Sequence, residues 1–81
     1  MTVQVQLFAA ARDRIGRSSV EVRLSEQPTA GELRQRLTID FPELAAIVSR
    51  AMLAINAEYA RDDQAIRAGS EIALIPPVSG G

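Results

Sequence analysis

Only one long segment of this chain carries a helical apolar stripe, and strand-like segments flank it on both sides. Leu33, Leu37 and Phe41 recur at four-residue spacing, which puts them on one face of a helix. Thr29 is a good N-cap for it, and Glu32 three residues later completes a Thr-x-x-Glu capping box, with Pro28 just outside. Pro42 ends the helix, because its ring and missing N–H break the ladder. Ahead of this helix, Val3, Val5 and Leu7 alternate with Gln4, Gln6 and Phe8, the period of a half-buried strand. Ser19 to Leu24 repeats that pattern, with Val20, Val22 and Leu24 inward and Glu21 and Arg23 outward. A lone helical stripe between strands has to be covered by a sheet.

The rest of the chain supplies the other strands. Ala9 to Ile15 reads as a short helical turn closed by Gly16, a residue suited to a left-handed C-terminal position. The short link it makes between the first two strands favours an antiparallel pair. Glu43 to Arg50 is a second helical piece, with Leu44, Ile47 and Val48 as its buried face. Met52 to Ile55 is a short apolar strand, Asn56-Ala57-Glu58 a turn, and Tyr59-Ala60 a brief return strand. Asp62-Asp63 reads as the cap of a single turn carrying Ile66, and Arg67 to Ser70 as a tight turn into a last strand, Glu71 to Ile75. One mixed sheet wrapped around one main helix buries every one of these apolar faces. This is an α+β chain with the β-grasp, or ubiquitin-like, arrangement, in which first and last strands run parallel at the sheet centre. The expected organisation is a β-grasp domain over residues 1–75 and a flexible, extended C-terminal tail over residues 76–81.

Composition then restricts the chemistry. The 81 residues contain no Cys, His or Trp, and all 9 basic residues are Arg. Without Cys there are no thiolate nucleophiles, disulfides or iron–sulfur ligands. Without His the commonest general base and metal ligand is gone. Nine basic residues against 10 acidic ones give a net charge of −1, which argues against nucleic-acid binding. Two adjacent carboxylates, Asp62 and Asp63, point apart and have no third ligand, so no metal site is expected. The uncharged run from Ile72 to Gly81 is well short of the ~20 residues a membrane helix needs. No leader pattern opens the sequence, which makes the cytoplasm the expected compartment. The chain does not read as an independent enzyme.

What remains is the tail, Pro76-Pro77-Val78-Ser79-Gly80-Gly81. At a background of about 7% Gly, two specified positions are both Gly in roughly 0.5% of chains. A diglycine lacks Cβ atoms, so its backbone passes through a channel that other residues would block. The terminal carboxylate is ionised near neutral pH and ready to attack an activated phosphate. As a carboxylate it is a poor acyl donor; as an acyl-adenylate it is a good one. The chain has no phosphate-binding Gly-rich loop, so a partner must bind the ATP. Ordering six residues costs about 6–12 kcal/mol, and two prolines with φ already set lower that cost. Extended, the tail reaches about 20 Å, enough to enter a neighbouring subunit. The competing readings are a frayed or cloning-derived end and a Pro-Pro that merely stops the sheet.

Phe8 has the opposite parity to Val3, Val5 and Leu7, and Ile75 the opposite parity to Ile72 and Leu74. Parallel neighbouring strands would bring Phe8 and Ile75 together where the tail emerges, with Tyr59 joining from the return strand. That makes an apolar docking surface; the alternative is that the Ala9–Ile15 segment covers Phe8. Arg12, Arg14 and Arg17 form a local basic cluster that suits either an acidic partner or plain solvation.

The run Phe8-Ala9-Ala10-Ala11-Arg12, the Asn56 turn, Gly69-Ser70-Glu71-Ile72 and above all Pro76-Pro77-Val78-Ser79-Gly80-Gly81 resemble the small subunits of molybdopterin synthase. The resemblance spans the whole chain. It implies a sulfur carrier that is not catalytic alone and binds no cofactor itself. A partner activating enzyme uses ATP to adenylate Gly81, a sulfur donor system converts it to a thiocarboxylate, and the tail inserts into the synthase large subunit. There it donates sulfur to cyclic pyranopterin monophosphate during molybdenum cofactor biosynthesis. Pro76, Pro77, Val78, Ser79 and Gly80 are the inserted tail, Phe8, Tyr59 and Ile75 the apolar contacts, and Arg12 a polar rim. Two alternatives stay open: a sulfur carrier or ubiquitin-like modifier for thiamine, cysteine or tRNA thiolation, and a β-grasp interaction module with an incidental diglycine.

Overall fold

A computed structural model describes residues 1–77. The chain runs β1 (Thr2–Leu7), α1 (Ala9–Ile15), β2 (Ser19–Arg23), α2 (Ala30–Asp40), a 3-10 turn (Pro42–Leu44), α3 (Ala45–Val48), β3 (Met52–Ile55), β4 (Glu58–Ala60) and β5 (Ile72–Ile75). The five strands form one sheet in the order β2-β1-β5-β3-β4. β1 and β5 are parallel, with Val5 opposite Ile72 and Leu7 opposite Leu74; the other pairs are antiparallel. This is the expected β-grasp topology.

Period-two alternation explains the burial. Val3, Val5, Leu7, Val20, Val22, Ile72 and Leu74 all face Leu33 and Leu37 of α2, and the two helix leucines have no exposed surface. Among the described residues no polar or charged side chain is buried. The helix is positioned by its caps. Thr29 Oγ1 accepts from the Glu32 N–H at 3.2 Å, and Phe41, only partly buried, caps the C-terminal end. Gly16 ends α1 at φ 80°, as its position suggests.

Three details differ from the sequence reading. The capping box is half made: the Glu32 carboxylate accepts from the Ser25 N–H at 2.7 Å and the Ser25 hydroxyl at 2.6 Å rather than from Thr29. Both Ser25 donors lie two residues past the end of β2, so the carboxylate ties the segment leaving the sheet to the start of α2. The second helical piece is split into the 3-10 turn and a four-residue α3, and Ile47 is only partly buried. Asp62-Asp63 caps no helical turn. The Asp62 carbonyl accepts from the Gly31 N–H at 2.8 Å, and its carboxylate takes the Arg34 guanidinium at 2.9 Å. Ile66 is buried because its N–H donates to the Pro28 carbonyl at 2.9 Å, laying the segment along the start of α2.

Candidate functional site

The strand register fixes what the outer face of the sheet presents. Gln6 lies opposite Ala73, Ala73 opposite Ala54, and Ala54 opposite Tyr59, so one row crosses four strands. Ile75 lies opposite Met52, and Phe8 follows Leu7 by one position in the β1–β5 register. The centre of the first row is built from two alanines, while larger side chains stand around it. The result is an open concavity of about 380 Å³ lined by Gln6, Phe8, Ala54, Tyr59, Ala73 and Ile75, among others.

The structure therefore brings Phe8, Tyr59 and Ile75 together on one surface. Phe8 is 43% exposed and Tyr59 68%, whereas Ile75 is half-buried. α1 does not cover Phe8. Arg12, exposed in the last turn of α1, lines an adjoining, more polar hollow with Gln4, Gln6, Phe8, Ser18 and Ser19. Arg17 is placed otherwise, with its guanidinium 5.9 Å from the centre of the Phe41 ring. The basic cluster thus splits, and only Arg12 borders the apolar surface.

Met52, 45% exposed, lies opposite Ile75 and borders a neighbouring groove of about 780 Å³ with Arg34, Thr38 and Ile39 of α2; the sequence reading did not single it out. Its parity relative to Leu53 and Ile55 carries the same signal as that of Phe8 and Ile75. Ala54 and Ala73 are the other omission; alanines give no polarity cue, yet they make the floor.

The tail leaves from the same end. Because β1 and β5 are parallel, Ile75 and Phe8 lie side by side and Pro76 follows immediately. Pro76 is half-buried, Pro77 is exposed, and both border a cleft of about 500 Å³ with Ala10, Ala46, Ile47, Ser49 and Arg50. Val78, Ser79, Gly80 and Gly81 lie outside the described residues. Among the described residues no group of acidic side chains is arranged to hold a metal ion. No helix there is long and apolar enough to cross a membrane. The arrangement is a shallow, largely apolar face beside the point where Pro76 leaves the sheet.

Fold and surface together define a class, the ubiquitin-like β-grasp domains that carry a diglycine at their C-terminus. Residues 5–81 match the ThiS family, and the chain belongs to it. A molybdopterin synthase sulfur carrier subunit of Dictyostelium discoideum is 37% identical over 81 residues, covering 96% of this chain and 94% of that one. The crystal structure of Haloferax volcanii small archaeal modifier protein 1 superposes with a TM-score of 0.83 at 27% identity, covering 95% of this chain and 98% of that one. A chain from the complex of subunits 1 and 2 of the Helicobacter pylori molybdopterin-converting factor has the same fold, with a TM-score of 0.70 at 23% identity and both chains fully covered.

Proposed function

We propose that this chain is the sulfur carrier subunit of a molybdopterin synthase. A partner enzyme binds ATP, the Gly81 carboxylate oxygen attacks the α-phosphorus, and pyrophosphate leaves. Sulfur at the sulfide level then displaces AMP from the acyl-adenylate and leaves a thiocarboxylate. The tail, residues 76–81, carries it into the large subunit, where that subunit's residues direct transfer to cyclic pyranopterin monophosphate. This chain binds no cofactor and works in the cytoplasm. Its domain, residues 1–75, docks through Phe8, Met52, Tyr59 and Ile75, with Arg12 at the rim.

The observation that carries this reading is the common exit: the parallel β1–β5 pair sets the apolar face and the root of the tail at one end of the sheet. A partner gripping that face receives the tail at a fixed starting point. The 37% identity to a named sulfur carrier subunit supports the choice of pathway. The likeness to an archaeal modifier favours a second reading, a carrier or modifier serving other acceptors.

Intact-mass analysis of the protein isolated from its cells tests the first step. A fraction should be heavier by one sulfur-for-oxygen exchange, mapped to Gly81. Full pathway activity after removal of Gly81 would end both carrier readings. Recovery of a molybdopterin synthase large subunit in about equal amount separates the first from the second.

A further inference from the structure

Ala9 has a φ of 50°, in the left-handed region where the Cβ of an L-residue crowds a neighbouring carbonyl oxygen. The other left-handed residues have local reasons. Gly16 and Gly69 lack a Cβ, and Asn56 and Ala57 form a two-residue hairpin loop that requires positive φ. Ala9 belongs to no hairpin. It stands between Phe8, still extended at φ −126° and ψ 155°, and the rest of α1.

Two anchors hold the conformation. Before it, Leu7 is buried and its N–H donates to the Ser18 carbonyl at 2.8 Å. After it, Ala11 has no exposed surface, and its N–H donates to the Phe8 carbonyl at 3.1 Å. Leu7 and Ala11 both point into the core while Phe8, between them, stays on the outer face. With β1 and α1 both anchored, returning Ala9 to a right-handed φ would displace the one exposed large side chain between them, Phe8. Strain of this kind persists where the surroundings over-determine it, and it collects at binding surfaces.

We propose that the left-handed backbone of Ala9 positions Phe8, fixing its ring beside Ile75 before any partner arrives. This rests on the docking role given to Phe8 above. A ring already in place spares the complex the ordering of that side chain. Docking affinity should then follow the left-handed propensity of residue 9 and not its size. Gly adopts that region freely, Asn tolerates it, and a β-branched Val resists it most.

The test compares Ala9→Gly, Ala9→Asn and Ala9→Val, each with Phe8 and with Phe8→Ala, by calorimetric titration with the synthase large subunit. Nuclear Overhauser contacts between the Phe8 ring and the Ile75 methyls are read in the free proteins. The Gly and Asn variants should dock at least as tightly as the parent and keep the contacts. The Val variant should dock at least tenfold more weakly and lose them, while with Phe8→Ala the whole series should agree within threefold. Parental affinity for the Val variant overturns the proposal, as does an equal loss in the absence of Phe8. If Ala9→Val does not fold, Ala9→Leu, unbranched at Cβ but still averse to positive φ, carries the same comparison. Unchanged affinity in Phe8→Ala alone would instead remove the docking role of Phe8, and the Phe8–Ile75 contacts would still decide whether Ala9 positions the ring.

Discussion

The Asn56 N–H donates to the Glu71 carbonyl at 2.8 Å while the Asn56 Oδ1 accepts from the Glu71 N–H at 2.9 Å. One residue of the β3–β4 turn thus satisfies both backbone groups of the residue just before β5. The hairpin and the central strand are locked in register at the end of the sheet away from the tail. A one-residue slip of β5 would move Ile75 off the outer face, since side chains alternate from one face to the other.

Asn56→Ala should destabilise the domain by about 1–2 kcal/mol. The side-chain hydrogen bond contributes about 1 kcal/mol, and an alanine at φ 51° adds strain that asparagine tolerates better. Asn56→Asp keeps an acceptor and a residue at ease in that region, so it should lose less. Urea titration of the three proteins checks the order. A midpoint for Asn56→Ala equal to the parent's would contradict it.

Ala57 sits at φ 69° in the second loop position, where Asn-Gly is the favoured pair. Ala57→Gly should stabilise the protein by about 0.5–1 kcal/mol. Relief of strain, about 1–2 kcal/mol, exceeds the larger entropy lost when a glycine folds, about 0.5–1 kcal/mol. Thermal unfolding should show a midpoint a few degrees higher. A lower midpoint would mean that the turn is not strained.

The order of strands and the parity of Phe8 and Ile75 were legible because both follow from period-two patterning, which survives in a single sequence. A single sheet followed from having one helix stripe to cover, and the parallel β1–β5 pair from the ββαβ arrangement of the elements. Other features depend on partners distant in sequence. Arg34 reaches Asp62 and the Val48 carbonyl at 2.9 and 2.8 Å, and no local pattern reveals such a contact. Local spacing pairs Glu32 with Thr29 alone, and its bonds to Ser25, seven positions away, carry no local signal. Met52 has the outer parity, but the run Met52-Leu53-Ala54-Ile55 is apolar throughout, so no polar residue marks that face in the sequence; Ala54 is covered for being small, not for facing the core. The left-handed φ of Ala9 has no sequence signal, since alanine is chosen more often for helices.

Glu32 gives the fold an acid-sensitive joint. Hydrogen bonds from the Ser25 hydroxyl and then the Ser25 N–H hold its carboxyl below the ordinary glutamate range. A group whose pKa is lower folded than unfolded stabilises fully above the unfolded value, and that contribution disappears as pH falls through the folded value. Stability measured from neutral pH downward should therefore fall more steeply in the parent than in Glu32→Gln, beginning at the ordinary glutamate range. Identical slopes would show that the Ser25 contacts do not favour the charged form.

The outer face can be separated from the helix face by one substitution on each. Met52 extends the row containing Ile75, while Ile39, 66% exposed, lies on α2; the two border one groove of about 780 Å³, and neither lines the concavity. Both are large, exposed and apolar, so burial alone would rank Ile39 as the better docking residue. Strand register decides otherwise. Met52 adjoins Ile75 and the root of the tail, whereas Ile39 has no register partner on the sheet. Met52→Asp should weaken binding to the large subunit by at least about 2 kcal/mol, or about thirtyfold, as loss of a hot spot does. Ile39→Asp should leave affinity within twofold, and both proteins should unfold near the parental temperature because neither side chain is buried. Equal losses at the two positions would mean that the partner contacts both faces, and a loss at Ile39 alone would move the docking surface to the helices.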